Sequence, residues 1–128
     1  MENFDVEFYS NSKGEEPAKE FILGLDKKTR AKFLNTIILL ENNGYELREP
    51  YSKYLSEGIF ELRVKSGSDI SRVLYFFYVG RKIILTNGFV KKTQKTPPNE
   101  IERAKKYRAD YLSKTSSNEK EKNNGHKI

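Results

Sequence analysis

Five basic side chains, Arg63, Arg72, Lys91, Lys92 and Lys95, fall within one run from Gly58 to Thr96, GIFELRVKSGSDISRVLYFFYVGRKIILTNGFVKKTQKT. Apart from these cations and its turns, the run is largely apolar and aromatic. A guanidinium fork matches two phosphate oxygens and stays charged, so Arg63 and Arg72 suit the holding of a phosphate group. Loop lysines remain solvated and add sequence-independent attraction for a phosphate backbone. Arg72 is set inside an apolar strand, where an arginine needs a strong reason to be. The local alternative for it is an ion pair with Glu61 or Asp69. Absence narrows the chemistry further. The chain has no cysteine and a single histidine, His126, close to its end. A thiol nucleophile, a Cys-based metal site and a disulfide framework are thereby excluded. No His/Asp/Glu cluster has ligand spacing and no glycine-rich phosphate loop is present, so neither a metal nor a cofactor is expected.

The elements that must position these cations follow from periodicity. Phe4, Val6 and Phe8 alternate with Asp5, Glu7 and Tyr9, the pattern of a half-buried strand. Pro17 can open a helix behind Glu15 and Glu16, with Ala18, Phe21, Ile22 and Leu25 on one face. Asp26 can cap a second helix carrying Phe33, Leu34, Ile37 and Ile38, and Gly44 can stop it in the left-handed conformation. Tyr45 to Glu57 is polar, contains Pro50 and reads as a connecting loop holding Glu49, Lys53 and Tyr54. Three strands follow. In the first, Phe60, Leu62 and Val64 share one face while Glu61, Arg63 and Lys65 share the other. The second, Ile70 to Val79, is apolar on both faces apart from Arg72 and is predicted to be central. The third starts at Ile83 and bends at Gly88 into the lysine loop. Thr96 can cap a last helix with Pro97 at its first position. The predicted order is β-α-α-β-β-β-α, an α+β fold with a small antiparallel-rich sheet and helices on one side.

At 128 residues with 36% hydrophobic and 33% charged content, the chain is one domain with a single core. Residues 1–114 are read as that domain. Residues 115–128, TSSNEKEKNNGHKI, carry one apolar residue and are expected to be disordered. The net charge of +6 is uneven: residues 1–50 carry −3 and residues 51–128 carry +9. The positive field therefore sits on the half that holds the three strands, which favours a nucleic-acid partner or an acidic protein. No apolar stretch approaches the ~18 residues of a membrane span. The first residues lack the basic start and apolar core of a signal peptide, so a cytoplasmic location is expected.

With these residues in place, the chain resembles the RelE/ParE toxin superfamily, and within it the phage-derived, HigB-like branch of type II toxin–antitoxin systems. The resemblance covers roughly residues 4–112. It rests on GIFELR at Gly58–Arg63, SRVLYFF at Ser71–Phe77 and NGFVKKTQKTP at Asn87–Pro97, in that order. It implies a RelE-like fold and a metal-independent, ribosome-dependent mRNA endonuclease (an mRNA interferase) that blocks translation. The implied partners are the ribosome with its mRNA and a helix-turn-helix antitoxin. Arg72 stands where the family has its central active-site arginine, and Arg63 matches a second arginine of the same concave face. Lys91 and Lys92 fall where the superfamily places a basic residue or histidine. Where RelE carries alternating lysines on its first hairpin strand, this chain has Phe60-Glu61-Leu62.

Cleavage of RNA needs a base for the 2′-OH, cations around the phosphorane and a proton donor for the leaving 5′-oxygen. On this reading Arg72, Arg63, Lys92 and Glu61 form the catalytic set, while Lys91, Lys95, Lys53 and Lys65 bind the RNA backbone. Glu61 and Glu49 are the candidate carboxylate bases, and Lys91 or Lys92 are candidates if crowding by other cations lowers their pKa. Two alternatives stay open at this point. One is a ParE-like, non-nuclease toxin acting on DNA gyrase; the other is a non-catalytic RNA- or protein-binding relative.

Overall fold

The computed structural model describes residues 3–91 and 95–126, the side chains of 117–126 excepted. Its elements in chain order are β1 (Asp5–Phe8), α1 (Pro17–Leu23), α2 (Lys27–Asn43), β2 (Ser52–Ser56), β3 (Ile59–Ser66), β4 (Asp69–Tyr78), β5 (Lys82–Lys91) and α3 (Pro98–His126), with one 3-10 turn at Gly44–Glu46. The α+β class holds. Among the described residues the sheet has five strands, ordered β1-β5-β4-β3-β2. All neighbouring pairs are antiparallel except β1 with β5.

The fifth strand is β2, which lies inside the stretch that composition reads as a loop. Ser52, Lys53 and Tyr54 pair with Leu62, Glu61 and Phe60 at the sheet edge. Edge strands tolerate polar residues, lysine and a nearby proline, so this strand lacks the apolar signature of a central one. β4 is central, as its apolar faces predict.

Strand alternation divides the core into two layers. Leu62, Val64, Val73, Tyr75 and Leu85 pack under α1 and α2 with Ala18, Ile22, Phe33 and Leu40. Ile59, Leu74, Phe76, Ile84 and Phe89 face the other way and pack against Ala104, Tyr107 and Tyr111 of α3. The helices thus cover both faces, not one. The cause is that β4 is largely apolar on both faces from Val73 onward, which leaves two faces to bury.

The helix ends follow local chemistry. The Asp26 carboxylate accepts from the Thr29 N–H and so caps α2. The Thr29 hydroxyl and, after it, the Thr29 N–H hold the Asp26 carboxyl below the usual carboxylate range. Gly44 ends α2 at φ +52°, and a Cβ there would overlap the Phe4 ring, so both conformation and space demand glycine. Helix α3 starts at Pro98 and runs to His126, through residues read above as a disordered tail. Polar composition limits burial, but residues 115–124 contain neither Gly nor Pro to break a helix once α3 has formed. None of the helices is long and apolar enough to cross a membrane, among the described residues.

Candidate phosphate-binding face

Pairing between strands brings the basic residues together. On the α3 side of the sheet, Lys53 of β2 stands opposite Glu61 of β3. Arg63 stands opposite Arg72, and Lys65 opposite Ile70. Phe89 and Lys91 of β5 complete the last two rows, beside Arg72 and Ile70. Helix α3 covers the other end of this face, where Ile59, Leu74 and Phe76 lie. Beyond the start of α3 the face is basic. Lys53, Lys65, Lys91 and Lys95 are all exposed. Lys92 lies outside the described residues.

Three charged side chains form the floor. Arg72 and Glu61 are both fully enclosed, with Arg72 Nε 3.4 Å from Glu61 Oε1. Arg63, 10% exposed, places its Nε 3.3 Å from Glu61 Oε2. Thr96 donates its hydroxyl to Glu61 Oε1 at 2.5 Å. The Arg72 guanidinium also lies over the Phe89 ring, 5.8 Å from its centroid. Burial pulls the Arg72 pKa below the ordinary arginine value; Glu61 opposes this, and Arg63 adds a like charge that works with burial. Arginine remains charged across the accessible range regardless. The local alternative weighed for Arg72, an ion pair with Glu61, is therefore present. Asp69, its other suggested partner, lies at the end of the hairpin, where its backbone is opposite Ser66.

The same geometry gives the two acidic residues different surroundings. Both Glu61 oxygens are engaged, one by Arg72 and Thr96 and the other by Arg63. A carboxylate so placed holds cations in position. Glu49 is different: its side chain is 67% exposed and its Oε1 lies 3.9 Å from Arg63 Nη1. Around Arg63 the surface opens into clefts. A cavity of about 120 Å³ is lined by Arg63, Lys65, Pro50 and Ile70. A second, of about 360 Å³, lies across the cluster between Lys53, Leu55, Lys95, Thr96 and Ile101. Among the described residues no three His, Cys, Asp or Glu side chains group as a metal site would need.

Sequence reasoning missed the part played by Thr96. It reads as a helix cap, yet α3 begins two residues later and the hydroxyl is directed into the sheet. The signal available was the Thr-Pro-Pro sequence, which admits a cap equally well. The face is also braced from α3. Lys105 pairs with Glu57 in the β2–β3 turn, holding the Glu57 carboxyl below its usual range. Asn87 of β5 donates to the Glu100 carbonyl and to its carboxylate. The first turns of α3 are thereby fixed against the strands that carry the cations.

A fold of this order, with a basic sheet face around the enclosed Arg72 and Glu61, defines a small α+β domain. The family described as phage derived protein Gp49-like (DUF891) matches residues 20–109, and the chain belongs to it. That span takes in the end of α1, all of α2, β2 to β5 and the first part of α3. No curated protein matches the chain.

Proposed function

We propose that this protein is the toxin of a type II toxin–antitoxin system, a RelE-like, ribosome-dependent mRNA endonuclease. Membership of a phage-derived family supports the phage-derived, HigB-like branch. The observation that carries the reading is the single face on which Arg63 meets Lys53, Lys65, Lys91 and Lys95 around an enclosed Arg72. Opposite-facing β3 residues are apolar, so the concentration of charge has no packing reason and fits a polyanion.

Within this reading the 2′-oxygen attacks the adjacent phosphorus, its proton passes to a base, and the 5′-oxygen leaves with a proton. Arg63, at the rim, is the guanidinium that meets the phosphorane oxygens. Arg72 lies beneath it, adds positive potential in a region poor in water and acts from behind Arg63. Glu61 holds both arginines. Glu49, exposed beside Arg63, is the carboxylate placed to take the 2′ proton. The four lysines follow the RNA backbone on either side. The partners implied are the translating ribosome with its mRNA and a helix-turn-helix antitoxin.

The test is expression in a translating extract, with mRNA ends mapped by primer extension. Discrete cuts that require ribosomes, and that fade in Arg63→Ala and Glu49→Gln proteins of unchanged melting behaviour, support the reading. Intact mRNA with inhibited DNA supercoiling would replace it with the gyrase-directed alternative. Intact mRNA with RNA binding and no growth arrest would leave a binding module.

A further inference from the structure

Four features of the arginine cluster converge on Thr96. Its side chain is 8% exposed and its hydroxyl lies 2.5 Å from Glu61 Oε1. Glu61 is fully enclosed and touches both arginines. Each arginine brings Nε, the inner nitrogen of the guanidinium, within ion-pair range of Glu61, at 3.3 and 3.4 Å. Finally, Thr96 lies just ahead of Pro98, the first residue of a helix tied to β5 through Glu100 and Asn87.

We infer that Thr96 is a positioning residue: its hydroxyl orients the Glu61 carboxylate, and Glu61 in turn sets the directions of Arg63 and Arg72. A carboxylate on a two-carbon stem rotates about its last bond, and two arginines on neighbouring strands would drag it to whichever made the shorter contact. A third ligand on Oε1 removes that freedom. The Thr96 hydroxyl donates on the side of Arg72, leaving Oε2 for Arg63, so each arginine has its own oxygen. The lead-in to α3 therefore governs how the phosphate-binding arginine is presented. This deepens the proposed function of the same face, and the exchange measurement below is independent of any cutting activity.

The test uses the whole chain with 15N-labelled arginine side chains. In wild type, the Nε–H protons of Arg63 and Arg72 are expected to exchange slowly with water. In Thr96→Val, which keeps the shape and removes the hydroxyl, their exchange should quicken by about tenfold or more, as a lost bond to a charged acceptor implies. Thr96→Ser should restore the slow exchange. In a cleavage assay Thr96→Val should lower kcat with KM little changed, because the surface lysines still hold the RNA. Fast Nε–H exchange in wild type overturns the inference without any variant, and so does a Thr96→Val protein that exchanges as wild type does. A Thr96→Ser protein that behaves like Thr96→Val also overturns it, since a purely steric role is then enough. Slow exchange that obeys the expected series in a protein that cuts no RNA removes the nuclease reading and leaves the positioning role standing.

Discussion

Replacing Glu61 by glutamine tests the centre of this architecture. The change keeps the shape of the side chain and removes its charge. It leaves Arg72, fully enclosed, and Arg63, 10% exposed, side by side with no carboxylate between them. Removing one partner of a buried ion pair costs about 3–5 kcal/mol, because the remaining charge stays out of water without compensation. The two contacts here are single and 3.3–3.4 Å long, whereas strong charge-assisted bonds measure about 2.7–2.9 Å. The lower end of the range therefore applies, about 3 kcal/mol. For a domain of this size that is a fall in Tm of about 10 °C, taking roughly 3–4 °C per kcal/mol. Urea and thermal unfolding followed by circular dichroism measure it. A second protein, Glu61→Leu with Arg72→Met, should lose less than Glu61→Gln alone, since it removes a charge from each side. A Glu61→Gln protein within about 0.5 kcal/mol of wild type, the range of ordinary surface substitutions, would show that water reaches the cluster and would refute the argument.

Three further outcomes are expected. Burial pushes the Tyr75 hydroxyl up to about 12, against the pull of its 2.5 Å bond with Ser52. The unfolded chain ionises near 10, so this contribution is complete below about pH 10 and is lost as pH rises toward 12, by roughly 2–3 kcal/mol in all. Urea titrations across that window should show a shallower decline in Tyr75→Phe than in wild type, and equal slopes would contradict the assignment. A Cβ on Gly88 would overlap the Phe21 ring, so Gly88→Ala should destabilise by about 1–3 kcal/mol in chemical unfolding; an unchanged midpoint would mean that α1 yields. Alanine at Lys53, Lys65, Lys91 or Lys95 should each reduce the slope of log affinity for RNA against log salt by about 1, with melting unchanged. A lysine whose loss leaves the slope intact lies off the RNA path.

The parts of the fold that were legible in the sequence are those with strong periodicity. The alternation of Phe60, Leu62 and Val64 against Glu61, Arg63 and Lys65 placed the latter three on one face, and the pairing agrees. Asp26 and Gly44 marked the ends of α2 because their local chemistry leaves few options. β2 was not legible, since an edge strand needs neither an apolar face nor the absence of proline. Nor was the placement of α3 across the sheet from α1 and α2, because a stripe of Ile101, Ala104, Tyr107 and Tyr111 states that a face is covered and not which one. At the site, residue types pointed to cations meeting phosphate. They could not distinguish an arginine that touches a ligand from one enclosed behind it. That difference depends on depth in the sheet, and on Thr96 turning toward Glu61.

The one parallel pairing has a consequence for when the molecule takes shape. β1 lies against β5, with Asp5 opposite Lys82 and Phe8 opposite Leu85. During synthesis the first strand emerges early, yet its partner strand appears only after the four other strands and the first two helices have been made. Long-range pairings of this kind form late and slowly, since a large loop must close before any contact repays it. The basic face is assembled in the same last steps, because Phe89, Lys91 and Thr96 all follow Lys82. A growing chain thus carries Lys53, Arg63, Lys65 and Arg72 before the strand that completes the surface arranging them.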